Sequence, residues 1–269
     1  MFSLTPTPPA NAFVAGDQLD QVQPVYPLDL FFCEGCSHLQ LLDVVDPAEL
    51  FRNYVYVSGT SASFVKHFEN YAQFSVDRFA LSESNLVVDI GSNDGTLLKK
   101  FEQKGVNVLG IDPAHAIAEA ATKDGIETWP EFFDQKVADR IRKEKGPASL
   151  ITANNVFAHA DDLSGITDSI RSLLTPEGVF MFEVSYLGDV FEKTLFDTIY
   201  HEHVAYHSVI PLVNFFSAKG MDFFAAKRID SHGGSLRGMV QLSGGPHKVD
   251  GSITELVDYE KQLKLDKPI

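Results

Sequence analysis

The residues best equipped for chemistry fall in one short stretch. Tyr200-His201-Glu202-His203-Val204-Ala205-Tyr206-His207 brings three histidines, a carboxylate and two tyrosines into eight positions, without helical or strand periodicity. Imidazole changes charge near neutral pH, and an adjacent carboxylate can orient it or hold its protonated form. Three uses are open to such a stretch: a metal site, a solvated loop or an acid/base cluster. The zinc pattern His-Glu-x-x-His places its histidines four apart on a helix. Here His201 and His203 are two apart, and His203, four before His207, is followed by Val204. The acid/base reading fits best. A second stretch, Asp89-Ile90-Gly91-Ser92-Asn93-Asp94-Gly95-Thr96, runs from strand-like into helical sequence. Its glycines allow a sharp turn and a ligand's close approach at the carboxyl end of a strand. Asp112 follows Gly91 by 21 residues, the distance at which a carboxylate commonly accepts hydrogen bonds from a ribose.

That spacing points to an adenosine-bearing ligand, against the alternative of a structural glycine turn in a ligand-free domain. A dinucleotide fingerprint, Gly-x-Gly-x-x-Gly, needs its second glycine beside the pyrophosphate. Asn93 stands there instead, with Asp94 next to it. An acid at the bend repels a pyrophosphate and suits a cation, which favours S-adenosylmethionine, with its sulfonium and α-ammonium groups. The run Val88-Asp89-Ile90-Gly91-Ser92-Asn93-Asp94-Gly95 resembles the first motif of class I S-adenosylmethionine-dependent methyltransferases. In that light Asp89, Gly91, Asn93 and Gly95 are the expected cofactor-binding residues of the turn. Asp112 is expected to hold the ribose, and Asn154 and Asn155 to approach the adenine or amino-acid end.

The elements that must position these groups follow from texture. Residues 1–46 are proline-rich, with Tyr26 to Phe32 alternating like a strand: a small β-rich module. Residues 47–81 form a helical connector, where Phe64, Phe68, Tyr71, Phe74 or Val76, and Phe79 make an aromatic stripe expected to pack as core. Residues 82–245 alternate short apolar runs with helices, closing on a hairpin formed by Met221–Ile229 and Leu236–Leu242. This pattern predicts an α/β fold with a Rossmann-like core, a mostly parallel seven-stranded sheet and an antiparallel closing hairpin. Residues 246–269 are a helix or tail. The 269 residues carry a net charge of −15, which disfavours nucleic acid or anionic membrane as partner. No apolar run reaches the ~18 residues of a spanning helix, and no signal peptide is recognisable. A cytoplasmic location is expected; the oligomeric state is not readable.

Four motifs in order make a more specific likeness. Ser92-Asn93-Asp94-Gly95, Ala153-Asn154-Asn155-Val156-Phe157-Ala158-His159, Tyr200-His201-Glu202-His203 and His232-Gly233-Gly234-Ser235-Leu236-Arg237 together resemble the nucleotide-sugar C-methyltransferase family. Its best-known members methylate C-3 of thymidine-diphosphate 4-keto deoxysugars. The resemblance implies a methyltransferase core between a small zinc-binding N-terminal module and a C-terminal α/β domain. It also implies Tyr200, Glu202 and His203 as catalytic residues, with His203 the base, Glu202 orienting its ring and Tyr200 donating to an enolate oxygen. The chemistry agrees, since carbon beside a ketone is no nucleophile until a base removes its proton. His201 is expected to shape the loop. Tyr54, Tyr56 and Ser58 either wall the sugar pocket or pack at a domain seam. His232 and Arg237 bind a phosphate or the ketone, or else merely form a hairpin turn.

The chain departs from that pattern at both ends. Cys33-Glu34-Gly35-Cys36 supplies only half of a four-ligand zinc site, so a vacant or partial site at Cys33 and Cys36 is expected. The chain stops where the family's C-terminal domain begins, so the reading includes a cofactor-binding fragment without turnover. An O- or N-methyltransferase is also open. A nicotinamide-dependent sugar epimerase or dehydratase is disfavoured, because none of the eight tyrosines has Lys four positions on.

Overall fold

The computed structural model describes residues 2–52, 54, 56–231 and 233–268; His232 lies outside the described residues. The chain opens with β1 (Phe2–Thr7), β2 (Tyr26–Phe32) and β3 (Leu39–Leu41). The connector is divided into α1 (Pro47–Phe51), a 3-10 turn at Ser58–Thr60 and α2 (Ala62–Phe79). The core then runs β4 (Leu86–Ile90), α3 (Thr96–Glu102), β5 (Asn107–Ile111), α4 (His115–Lys123), β6 (Thr128–Trp129), α5 (Gln135–Glu144), β7 (Ala148–Asn154), α6 (Leu163–Leu173) and β8 (Leu174–Ser185). It finishes with α7 (Leu187–Lys193), β9 (Ala205–Tyr206), α8 (Val209–Ala218), β10 (Met221–Ile229), β11 (Ser235–Leu242) and α9 (Gly251–Gln262).

Seven strands form the central sheet in the order β10-β11-β8-β7-β4-β5-β6. The pairs from β8 to β6 are parallel, and β11 pairs antiparallel with both β8 and β10. This is the expected architecture, with the hairpin closing one edge. Strand β4 is buried at all five positions, including Asp89, as a parallel strand covered on both faces must be. The aromatic stripe on α2 buries Phe64, Phe68 and Tyr71 against one face, with Phe74, Val76 and Phe79 partly buried beside them. Each fully buried aromatic contributes ~2–3 kcal/mol. The other face carries a larger cluster that includes Phe157, Phe180, Phe182 and Phe216.

The N-terminal sheet has the order β1-β2-β3-β9, so its fourth strand comes from far along the chain. Leu39 pairs with Tyr206 and Gln40 with Ala205, and Leu41 N donates to Val204 O at 2.8 Å. The histidine-rich loop is therefore clamped to the first 46 residues immediately after His203. Two residues of strand carry no readable periodicity, which is why the loop's anchor escapes sequence reading.

Candidate functional site

One cavity of about 1170 Å³ opens at the carboxyl ends of β4, β5 and β7, and both chemical stretches reach it. Open α/β sheets bind ligands at this end of their strands. Gly91 turns the chain out of β4 with φ +68°, and a Cβ there would collide with the Val156 side chain. The amides of Gly91 and Ser92 donate to Ile111 O at 2.7 and 3.2 Å, which pins the turn against β5. Asn93 is left-handed at φ +52°. Its amide donates to Asp112 Oδ2 at 2.8 Å, and Ala114 N donates to Asp112 Oδ1 at 2.9 Å. Burial raises the Asp112 carboxyl, opposed by those two N–H groups. Each of its oxygens keeps a lone pair for a further donor.

Asp89 lies at the bottom of the turn. Burial raises its pKa to about 7 even though Thr152 donates to it at 2.6 Å. Asn154 and Asn155 both line the cavity. The Asn154 amide is buried beside the Tyr71 hydroxyl. Two expectations at this end are corrected. Gly95 does not line the cavity; its φ of +74° starts α3, and a Cβ would press on Ile126 at 3.0 Å. Asp94 is spent on Gly59 N and Thr96 N, at 2.8 and 3.1 Å. Asp89 and Asp112 are the buried carboxyl groups that line the cavity.

The same cavity is lined by Tyr54, Tyr56, His159, Tyr200 and His203. His203 Nδ1 lies 2.9 Å from Thr198 O and Nε2 lies 3.0 Å from Tyr200 Oη. A carbonyl only accepts, so Nδ1 carries a proton, and when the ring is neutral its Nε2 lone pair faces the Tyr200 hydroxyl. Burial, and then the neighbouring Glu202, push the Tyr200 hydroxyl well up, so it stays a donor. Glu202 does not orient His203, contrary to expectation. Its oxygens accept from Asn11 Nδ2 at 2.5 Å and Tyr54 Oη at 3.4 Å.

The three histidines of the stretch separate. His201 sits 3.3 Å from Tyr26 O, and His207 sits 3.3 Å from Phe157 O, stacked on the Phe157 ring. Burial, then repulsion from His38, lowers His207 to about 3. Sequence reasoning assigned no role to His159, which lines the cavity with its ring 5.1 Å from that of His203 and stacked on Phe51 at 5.4 Å. Burial, and then His203, hold His159 well below the usual imidazole range, and its Nε2 is buried without a partner among the described residues. Its place just past the carboxyl end of β7 is the signal that marks it.

Arg237 is corrected as well. It is absent from the cavity wall and is buried on β11, its Nε 2.6 Å from Glu183 Oε1 and its guanidinium 4.3 Å above the Tyr71 ring. Burial alone would raise Glu183, but His67 at 2.7 Å and Arg237 hold it below the usual range. Tyr56 does line the cavity, and its carbonyl accepts from Asn93 Nδ2 at 2.9 Å. Cys33 and Cys36 are exposed on one turn, closed by Ser37 N to Cys33 O at 2.8 Å. His38 packs against His207, ring centroids 5.6 Å apart. Among the described residues no group of three or more His, Cys, Asp or Glu is placed to hold a metal, so these residues do not fit four-coordinate zinc.

A seven-stranded sheet with this turn and this cavity defines a class I methyltransferase domain. The family model of that domain matches residues 64–222, and the chain belongs to the methyltransferase-domain family. A second family model, described as "Putative zinc binding domain", matches residues 1–51. The chain is 33% identical to the C-methyltransferase NovU of Streptomyces niveus over 254 residues, 94% of this chain and 60% of that protein. It thus spans about three-fifths of that relative's length. The Ubiquinone biosynthesis O-methyltransferase of Pasteurella multocida is 30% identical over 109 residues, 36% of this chain and 44% of that one. Among solved structures, an S-adenosylmethionine-dependent methyltransferase from Clostridium acetobutylicum has the same fold, with TM-score 0.52, 13% identity, and 67% of this chain and 92% of that one covered. The magnesium protoporphyrin IX methyltransferase from Synechocystis, solved with bound SAH, gives TM-score 0.51 at 16% identity over 66% of this chain and 83% of that one. No helix among the described residues is long and apolar enough to cross a membrane.

Proposed function

We propose that the chain binds S-adenosylmethionine at the β4 turn and methylates a carbon of a nucleotide-linked 4-keto deoxysugar. The residues fit the cofactor: Gly91, Asn154 and Asn155 line the cavity at the strand ends, and Asp112 offers lone pairs to a ribose. Asp89 supplies a buried carboxyl for the α-ammonium group. When bound, the cofactor supplies an electrophilic methyl on a sulfonium.

The observation that carries the reading is the His203–Tyr200 pair in the wall of the same cavity. His203 takes the proton from carbon beside the ketone at Nε2, its ring held by the Nδ1–H bond to Thr198 O. Tyr200 turns its hydroxyl from Nε2 to the ketone oxygen and stabilises the enolate, a contribution of ~3–4 kcal/mol for one such donor. Neutral His159, beside His203, adds a polar atom to this wall without adding charge. The similarity to NovU supports carbon rather than oxygen as acceptor. The test is mass spectrometry of thymidine-diphosphate 4-keto deoxysugars incubated with chain and S-adenosylmethionine. One added methyl on carbon is expected; a methyl on oxygen only, or none with any sugar, contradicts the reading.

A further inference from the structure

The loop between β1 and β2 enters the cavity wall. Asn11 lines the cavity, and its Nδ2 donates to Glu202 Oε1 at 2.5 Å across 191 positions of sequence. Glu202 is 1% exposed. Its other oxygen accepts from Tyr54, and it makes no ion pair among the described residues. The titratable groups set against it are Tyr54, from the segment after α1, and Tyr200 on its own loop. Among the described residues, neutral donors hold this buried carboxyl beside the cavity lining.

We propose that Asn11 is a positioning residue whose amide fixes the orientation and charge of Glu202, making the N-terminal loop a working part of the catalytic wall. The proposal rests on the reading of that wall given above. Burial favours the neutral acid and raises Glu202, while the bonds from Asn11 and Tyr54 oppose that rise. A charged Glu202 in turn keeps the Tyr200 hydroxyl protonated and fit to donate. Without the amide, the acid takes up a proton more readily, and it loses the partner that aims Oε1.

The test uses the full chain with Asn11→Ala and with Asn11→Asp, which keeps the size, removes the donor and adds a like charge. Glutamate is labelled at the carboxyl carbon with ¹³C, and the Glu202 signal is assigned by its loss in Glu202→Gln. The Glu202 titration midpoint is expected to rise in Asn11→Ala and to rise further in Asn11→Asp. Methyl transfer from S-adenosylmethionine to a thymidine-diphosphate 4-keto deoxysugar is expected to fall roughly tenfold in kcat in Asn11→Ala, as loss of one bond to a charged group implies. The KM for the donor is expected to be unchanged, and the acid limb of the pH profile to move to higher pH. An unmoved titration in both variants, with only a common loss of Tm, overturns the proposal and leaves Asn11 as loop structure. If the unmodified chain transfers no methyl, the functional reading fails, while the titration still decides the role of Asn11.

Discussion

The turn after β4 and the loop between α7 and β9 line one cavity and are built by different means. The turn takes its shape from the backbone: Gly91 and Asn93 at positive φ, amides bonded to Ile111 O, and Asp112 held by two N–H groups. The loop takes its shape from side chains and from partners distant in sequence. Asn11 and Tyr54 hold Glu202, Tyr200 meets His203, and β3 clamps Val204 to Tyr206. A backbone-built site tolerates changes in neighbouring side chains, whereas a side-chain-built site fails one residue at a time.

Four substitutions or titrations sharpen that contrast. The largest effect is expected for His203→Ala, which should lower kcat by about 10²–10⁴-fold, the usual contribution of a general base. Donor affinity, read by calorimetry, should stay within a few-fold, because His203 belongs to the loop alone. Next is Arg237→Met, which leaves Glu183 buried with half its partners and should cost about 3–5 kcal/mol of folding stability. Denaturant unfolding measures this, and the KM for the sugar should not change. Asp112→Asn should weaken S-adenosylhomocysteine binding roughly tenfold by removing charged acceptors from the turn, with little effect on kcat at saturating donor.

The smallest effect is the pH dependence set by Asp89. Its carboxyl is raised from 3.8 to about 7 in the folded chain, so the folded state binds the extra proton. That stabilisation is present below pH 4 and fades as pH rises through 7. A cationic donor needs the ionised carboxyl, so its affinity should weaken as pH falls from 8 to 6, by less than about tenfold per unit. Asp89→Asn should flatten the calorimetric slope.

How far the sequence spoke follows the same division. Gly91 and Asp112 were readable because strand, turn, helix and second strand are contiguous, and their periodicities of 2 and 3.6 place the residues within local structure. The α2 stripe and the β10–β11 hairpin were readable for the same reason. Arg237 was misread as a ligand group because Glu183, 54 positions away, leaves no local mark. Glu202 was given the wrong partner because sequence proximity favours His203, whereas folding delivers Asn11 and Tyr54. Asp94 was read as the acid at the bend, whereas its carboxylate is used within the turn and by Gly59. His159 was quoted in a motif without a role, since nothing in its neighbours shows that its ring meets His203.

The central claim is that Nε2 of His203 removes a proton from carbon in this cavity, and hydrogen exchange tests it without waiting for methyl transfer. The chain is incubated in D₂O with S-adenosylhomocysteine and a thymidine-diphosphate 4-keto deoxysugar, and deuterium at the carbon beside the ketone is followed by NMR. Exchange should be catalysed by the unmodified chain and fall to the uncatalysed rate in His203→Ala. Exchange at an undiminished rate in His203→Ala would contradict the account.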